Sequence, residues 1–220
     1  MSKTLVISDI HLGDLRLLNV EALYTLLLNE SYDRLVLAGD IIDLWLSNWD
    51  ALLKTELLQL LQKISETKET IWVIGNHDSD IIKNNITYVF PKISFTDIFK
   101  MEDGGKRFLI LHGNQVYSHQ DESWIARMTA KLNYFIWRHF DIDIQRISNN
   151  TKYYLKYIDN KRGQIIKNYG NDIDIIIIGH THKIGRLMKG NVELFDLGAF
   201  IKMHSYGIIE NGIVNIGVKE

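Results

Sequence analysis

The chain has 220 residues, 46% of them apolar and 24% charged, with a formal charge of −2. That is enough apolar material for one globular core, and the charge gives no cationic excess for bulk nucleic-acid binding. There is no cysteine, which excludes disulfides, zinc-thiolate sites and thiol nucleophiles.

Residues 4–8 form a β-branched and aliphatic run that ends at Asp9-Ile10-His11. Residues 15–28 place Leu15, Leu18, Ala22, Leu23, Leu26 and Leu27 at helical spacing. A buried strand over 35–38 stops at Gly39-Asp40-Ile41-Ile42-Asp43. A second helix is predicted over 52–64, with Leu53, Leu57, Leu60, Leu61 and Ile64 on one face. A third strand, over 70–74, ends at Gly75-Asn76-His77-Asp78. This β-α-β-α-β alternation implies a parallel sheet covered by helices.

Beyond the single proline, Pro91, the texture turns to hairpins. Strands over 94–101 and 106–111 flank Asp103-Gly104-Gly105, and the second ends at His112-Gly113-Asn114. Residues 173–178 read as a strand buried on both faces, ending at Gly179-His180-Thr181-His182. Turns at Gly190-Asn191 and Asn211-Gly212 mark two further hairpins. Residues 1–220 are read as a single domain interrupted by one long insertion without strand character, at about 115–172. Inside it, Trp124, Ile125, Met128, Leu132, Phe135 and Ile136 make a helical apolar face expected to pack on the core. Residues 146–167 carry Arg146, Lys152, Lys156, Lys161, Arg162 and Lys167 against one acid, Asp159, interleaved with Tyr153, Tyr154 and Tyr157. No apolar run reaches the length that spans a bilayer, and the start, Met1-Ser2-Lys3-Thr4, shows no leader-like hydrophobic region. The expected location is cytoplasmic.

Five strand ends thus deliver Asp9 and His11, Asp40 and Asp43, Asn76 and His77, His112, and His180 and His182. Open α/β sheets place their ligand sites at such ends. One loop histidine or aspartate is ordinary turn chemistry. Five tips of neighbouring strands must converge, and converging unpaired acids and imidazoles would be costly with nothing to bind. Mixed imidazole and carboxylate ligation suits manganese, iron, zinc or cobalt better than magnesium or calcium. Two such dications about 3.5–4 Å apart repel by about 19 kcal/mol at an effective dielectric of 20, so an anion must lie between them. Asp40 is the expected bridging carboxylate and a hydroxide the expected second bridge. The residual positive charge lowers the pKa of bound water and attracts a phosphate.

These five motifs resemble the calcineurin-like metallophosphoesterase superfamily over nearly the whole chain. The resemblance implies an α/β fold, a four-layer αββα sandwich of two mixed sheets flanked by helices, here with a helical cap insertion. It implies one metal on Asp9, His11, Asp40 and His182, and a second on Asp40, Asn76, His112 and His180, with manganese the preferred ion. His77 is then no ligand but the acid that protonates the leaving oxygen, steered by Asp43. Asp43-Leu44-Trp45 and His77-Asp78 lack the Arg and Glu of the Ser/Thr protein phosphatases. Ser8-Asp9-Ile10-His11-Leu12-Gly13, Gly39-Asp40 through Trp45, His112-Gly113 and Leu197-Gly198-Ala199-Phe200 resemble the UDP-2,3-diacylglucosamine pyrophosphatase branch, from which the chain differs at His77, Asn114 and Ile184.

The implied activity is hydrolysis of a phosphate ester or pyrophosphate by the bridging hydroxide. The alternatives are a small- or cyclic-nucleotide phosphodiesterase, or a non-catalytic protein-binding scaffold of the same fold. Asn76, His77, Lys152, Lys156 and Arg162 are the expected substrate contacts, the last three through a basic cap over the metals. The expected partner is a phosphorylated small molecule or lipid-linked nucleotide, with no nucleic acid, and the cap could touch an anionic membrane surface. His119, His139 and His204 belong to no motif and receive no role.

Overall fold

Side chains along a strand point alternately to opposite faces, and this alternation sorts the aliphatic runs into three apolar layers. The structure, a computed structural model, describes residues 2–14, 20–83, 86–116, 124–140 and 151–219. In chain order come β1 (Thr4–Ile7), α1 (Val20–Asn29), β2 (Arg34–Ala38), α2 (Trp49–Leu52), α3 (Glu56–Ser65), β3 (Glu69–Val73), α4 (Asp80–Lys83) and β4 (Ile93–Thr96). Then follow β5 (Ile98–Asp103), β6 (Lys106–Leu111), α5 (Trp124–Phe140) and α6 (Lys152–Tyr169). The last elements are β7 (Ile175–Ile178), β8 (Ile184–Lys189), β9 (Val192–Leu197), α7 (Phe200–Met203), β10 (Ser205–Glu210) and β11 (Ile213–Val218).

One sheet has six strands in the order β11-β10-β1-β2-β3-β4, the other five in the order β5-β6-β7-β9-β8. Strands β1 to β4 run parallel, as do β6, β7 and β9, while the hairpin partners are antiparallel. Leu5, Ile7, Leu35 and Leu37 face the helices, packing with Leu23 and Leu26 of α1 and Leu57 and Leu61 of α3. Val6, Val36, Ile71 and Val73 face the other sheet and meet Phe108, Ile110, Ile175 and Ile177. Leu109, Leu111, Ile176 and Ile178 pack on Ile165 and Ile166 of α6. The result is helix, sheet, sheet, helix: the four-layer α/β sandwich with two mixed sheets.

Local structure departs from the sequence pattern in three places. The helix expected over 52–64 begins only at Glu56, and Leu52 ends a separate short helix, α2. Thr55 adopts an extended conformation (φ −75°, ψ 140°) as the N-cap of α3, and its hydroxyl donates to the Leu52 carbonyl at 2.6 Å. The strand expected over 94–101 is split between the two sheets. At the corner, the Thr96 hydroxyl donates to the Ile98 carbonyl at 2.8 Å and accepts from the Ile98 amide at 3.3 Å.

The third departure is in α5. Met128, Leu132 and Phe135, expected to pack on the core, are 59%, 58% and 53% exposed. Periodicity marks one apolar side of a helix but cannot say that a partner lies against it. The side chains of Trp124 and Ile125 lie outside the described residues, as do Leu15, Leu18, His119 and Arg146. Among the described residues no helix is long and apolar enough to cross a membrane.

Candidate metal centre

Because β1, β2 and β3 are parallel, and β6 and β7 likewise, the loops that follow them open on neighbouring ends of the two sheets. Asp9, His11, Asp40, His180 and His182 all have left-handed backbones, with φ of 54°, 51°, 52°, 69° and 56°. Such conformations cost about 1–3 kcal/mol each in a non-glycine residue and gather at functional sites. The surrounding ladder holds them: the amide of Asp9 donates to the Gly39 carbonyl at 3.0 Å, and that of His11 to the Asp40 carbonyl at 2.9 Å. Two glycines permit the close approach. A Cβ on Gly75 would collide with the Asp40 carboxylate, and one on Gly179 with the Ser8 hydroxyl and the Asp9 carboxylate.

The predicted ligands converge. His182 Nε2 lies 3.1 Å from Asp9 Oδ1 and 3.2 Å from His11 Nε2, which is 3.8 Å from both Asp9 Oδ1 and Asp40 Oδ2. On the other side of Asp40, His112 Nε2 is 3.1 Å from Oδ2 and 3.3 Å from His180 Nδ1. Asp40 is therefore shared by two imidazole-rich groups. Second partners aim these side chains. His112 Nδ1 donates to the Ala38 carbonyl at 3.0 Å, which turns Nε2 toward Asp40. The Asp9 carboxylate accepts from the His180 amide at 3.0 Å and from the Ser8 hydroxyl. Asp40 Oδ1 accepts from the His77 amide at 2.8 Å.

Asp43 faces two imidazoles at once, with Oδ2 3.0 Å from His77 Nδ1 and 3.3 Å from His11 Nδ1. Its other oxygen accepts from the amides of Trp45 and Leu46 at 3.0 and 3.1 Å. It thus links the side chain expected to donate a proton to one expected to ligate.

Charge in the cluster is finely divided. Burial would raise the carboxylates, but the imidazoles beside them prevail and hold Asp9, Asp40 and Asp43 well below the ordinary range. Against the same burial, Asp40 raises His112 to about 9, and Asp43 and Asp9 raise His11 well above its usual value. Burial together with the charge on His112 lowers His180 to about 3, and burial lowers His182. Protons on His11 and His112 thus compensate the acids where cations would otherwise do so.

The residues fit a divalent ion on three counts. Adjacent ligand atoms about 2.0–2.2 Å from one ion lie about 2.8–3.6 Å apart, and the closest spacings above are 3.1 to 3.3 Å. Asp9, His11 and His182 form one group of potential ligand atoms, and Asp40, His112 and His180 another. Asn76 Oδ1 is buried and has no hydrogen-bond partner among the described residues, as expected of an oxygen kept for a cation. A third such group joins His11, Asp40 and His77, so His77 also stands within reach of the centre.

The basic cap is placed otherwise than expected. Arg162 is 7% exposed, and its guanidinium is engaged by Asp196 at 3.0 Å, Asp159 at 3.0 Å and the Lys183 carbonyl at 2.8 Å. It is a buried tie between α6 and the second sheet rather than a free cation for substrate. Lys152 and Lys156 are exposed on α6, and no described hydrogen bond or ion pair joins them to the ligand cluster. Sequence reasoning also missed supporting residues. Asp78 is fully buried and accepts from Trp72 Nε1 at 2.6 Å, and burial and the Asp40 charge push it up to about 7. Trp45 stacks on His77 with ring centroids 3.9 Å apart. Asp78 sits in a motif that had been singled out, but nothing in the local pattern signals the role of Trp45.

A two-sheet sandwich gathering aspartates, histidines and an asparagine at its strand ends defines the chain as a metallophosphoesterase. The profile of the calcineurin-like phosphoesterase family matches residues 2–184, and the chain belongs to that family. Among solved structures, an archaeal phosphodiesterase is 15% identical, with 98% of this chain and 99% of that chain covered and a TM-score of 0.50. A single-site variant of Vps29 from Entamoeba histolytica is 13% identical, with coverage of 98% and 97% and a TM-score of 0.53. Yfce, a phosphoesterase from E. coli, is 17% identical, with coverage of 96% and 90% and a TM-score of 0.52. At these identities the likeness is one of fold. None of the curated proteins matches the sequence.

Proposed function

We propose that the protein hydrolyses a phosphate ester or pyrophosphate bond with two divalent cations, manganese by preference. One would be held by Asp9, His11, Asp40 and His182, the other by Asp40, Asn76, His112 and His180. The observation that carries this reading is the place of Asp40, 3.1 Å from His112 Nε2 on one side and 3.8 Å from His11 Nε2 on the other. Bound cations would supply Lewis acidity to phosphoryl oxygens and lower the pKa of water. His77, with Nδ1 facing Asp43, keeps Nε2 for the leaving oxygen. The Asn76 amide and His77 contact the phosphoryl group.

The substrate we propose is a phosphorylated molecule with an apolar part, such as a lipid-linked nucleotide of the UDP-2,3-diacylglucosamine kind. Exposed Met128, Leu132 and Phe135 on α5 support it, together with exposed Tyr153, Lys152 and Lys156 on α6. The exposed lysines of α6 suit peripheral contact with an anionic membrane. A small or cyclic nucleotide is the alternative.

The test is metal analysis and turnover of manganese-loaded protein on bis-p-nitrophenyl phosphate, a cyclic nucleotide and a diacylated UDP-sugar. Asp40→Ala should lose metal and activity together, and His77→Ala should keep metal and lose turnover most on the cyclic nucleotide, whose leaving alkoxide needs a proton, and least on bis-p-nitrophenyl phosphate. Wild-type protein that binds no metal and cleaves none of the three would leave the protein-binding scaffold as the better reading.

A further inference from the structure

Among the described residues, the inserted helix α5 reaches the segment that follows His77 through Arg127. Arg127 grips Asp80 at the start of α4 in a two-pronged ion pair, Nη1 to Oδ2 at 2.9 Å and Nη2 to Oδ1 at 3.3 Å. The same guanidinium lies 5.6 Å from the ring centroid of Trp45. Trp45 in turn stacks on His77 at 3.9 Å with an interplanar angle of 23°. Its indole N–H is buried without a hydrogen-bond partner among the described residues, and its backbone amide donates to Asp43 Oδ1 at 3.0 Å. Asp80 follows His77 by three residues, so Arg127 holds both the backbone that carries the imidazole and the ring that covers it.

We propose that Arg127 is a positioning residue, which through Asp80 and Trp45 fixes the orientation in which His77 delivers a proton to the leaving oxygen. The proposal rests on the reading of His77 as the acid. In the hydrolysis a bond forms between phosphorus and a water oxygen, and the bond to the leaving oxygen breaks. The leaving oxygen takes a proton from His77 Nε2, and the water gives up a proton that returns the imidazole to its starting state. Asp43 Oδ2 lies 3.0 Å from Nδ1 at one edge of the ring. The Trp45 face sets its tilt, and a planar, forked guanidinium is suited to grip a carboxylate while covering an aromatic ring. The insertion thereby takes part in the chemistry without touching the reacting atoms.

The experiment uses the full chain loaded with manganese and two esters that differ in how much the departing group needs a proton. Bis-p-nitrophenyl phosphate releases a stabilised anion, whereas diphenyl phosphate releases a more basic one. Arg127→Gln should lower kcat about tenfold on diphenyl phosphate and less than about twofold on the nitrophenyl ester, with KM and metal content unchanged. Arg127→Lys, which keeps the charge and loses the fork, should recover part of the loss. In a His77→Ala background Arg127→Gln should have no further effect. If Arg127→Gln does not fold, Trp45→Phe against Trp45→Leu gives the same comparison, the flat ring preserving the preference and the aliphatic chain losing it. Equal losses on the two esters, or an undiminished loss without His77, would overturn the proposal. A His77→Ala enzyme with wild-type leaving-group dependence, or a wild type inactive on both esters, would instead overturn the underlying reading of His77 or of the activity.

Discussion

Arg162 Nε donates to Asp196 Oδ2 at 3.0 Å inside the protein, and the same oxygen accepts from the Thr181 hydroxyl at 2.7 Å. Thr181 lies between His180 and His182. An arginine of the insertion is thereby wired to the loop that carries two of the proposed ligands. Removing one member of a buried ion pair leaves the other charge uncompensated, at a cost of about 3–5 kcal/mol. Arg162→Leu should show that loss in urea denaturation. Thr181→Val should cost less stability, but about 10-fold in manganese affinity measured by calorimetry, because the ligand loop loses its anchor. Unchanged stability in Arg162→Leu would mean that the pair is not formed.

Gly75 and Gly163 make a matched pair of substitutions. A Cβ at Gly75 would overlap the Asp40 carboxylate, whereas one at Gly163, inside α6, meets nothing within 4 Å. Gly75→Ala should displace Asp40 and lower manganese affinity about 10- to 100-fold. Gly163→Ala should raise stability by about 0.5–1 kcal/mol through helix propensity alone. Thermal melts and metal titrations of the two variants read both effects.

Asp43→Asn separates a shared acid from a single-purpose one. Asp43 lies 3.0 Å from His77 Nδ1 and 3.3 Å from His11 Nδ1. The amide should misplace both imidazoles, lowering kcat by about 10²–10⁴-fold and weakening metal binding as well. His77→Ala should affect turnover alone, so the ratio of bound manganese to protein distinguishes the two variants.

The pH dependence of the metal-free protein has two arms. The folded pKa of His112 is raised from 6.5 to about 9, so its contribution to stability is complete below 6.5 and is lost as the pH rises through 9. The folded pKa of His180 is lowered from 6.5 to about 3, so its contribution is complete above 6.5 and is lost as the pH falls through 3. Melts in chelator should show stability falling between pH 7 and 9, and His112→Asn should flatten that alkaline arm. A flat profile from pH 6 to 9 in the wild type would contradict the charge assigned to His112.

Manganese should cancel that alkaline arm, because ligation requires neutral imidazoles and displaces the protons of His112 and His11. Calorimetry at pH 7 in buffers of different ionisation enthalpy should therefore show proton release on binding, and affinity should rise between pH 7 and 9. Stripping the metal should lower the melting temperature, by the equivalent of about 2.7 kcal/mol for each site at which free manganese had stood at a hundred times its Kd.

Much of this was legible in the linear chain. Most of the strands along the chain and the polar ends at Asp9, Asp40, Asn76, His112 and His180 follow from hydrophobic period and from residues immediately after each run, both of which are local properties. The elements over 94–101 and 52–64 depart from their hydrophobic period at the ends, because Thr96 and Thr55 redirect the backbone through hydroxyl contacts that periodicity does not encode. The exposed stripe of Met128, Leu132 and Phe135 was misplaced because an apolar side is necessary for packing but does not supply the surface to pack on.

By itself, then, the sequence determined which residue types stand at the strand tips and that they belong to a layered α/β sandwich, since those facts depend on neighbours a few positions away. Only the tertiary structure decided that Asp43 serves both His11 and His77, that Arg162 turns inward to Asp196, and that Arg127 reaches Trp45. Each of those relations joins segments tens of residues apart, and its geometry is set by how two sheets and an inserted helix pair come to rest against one another.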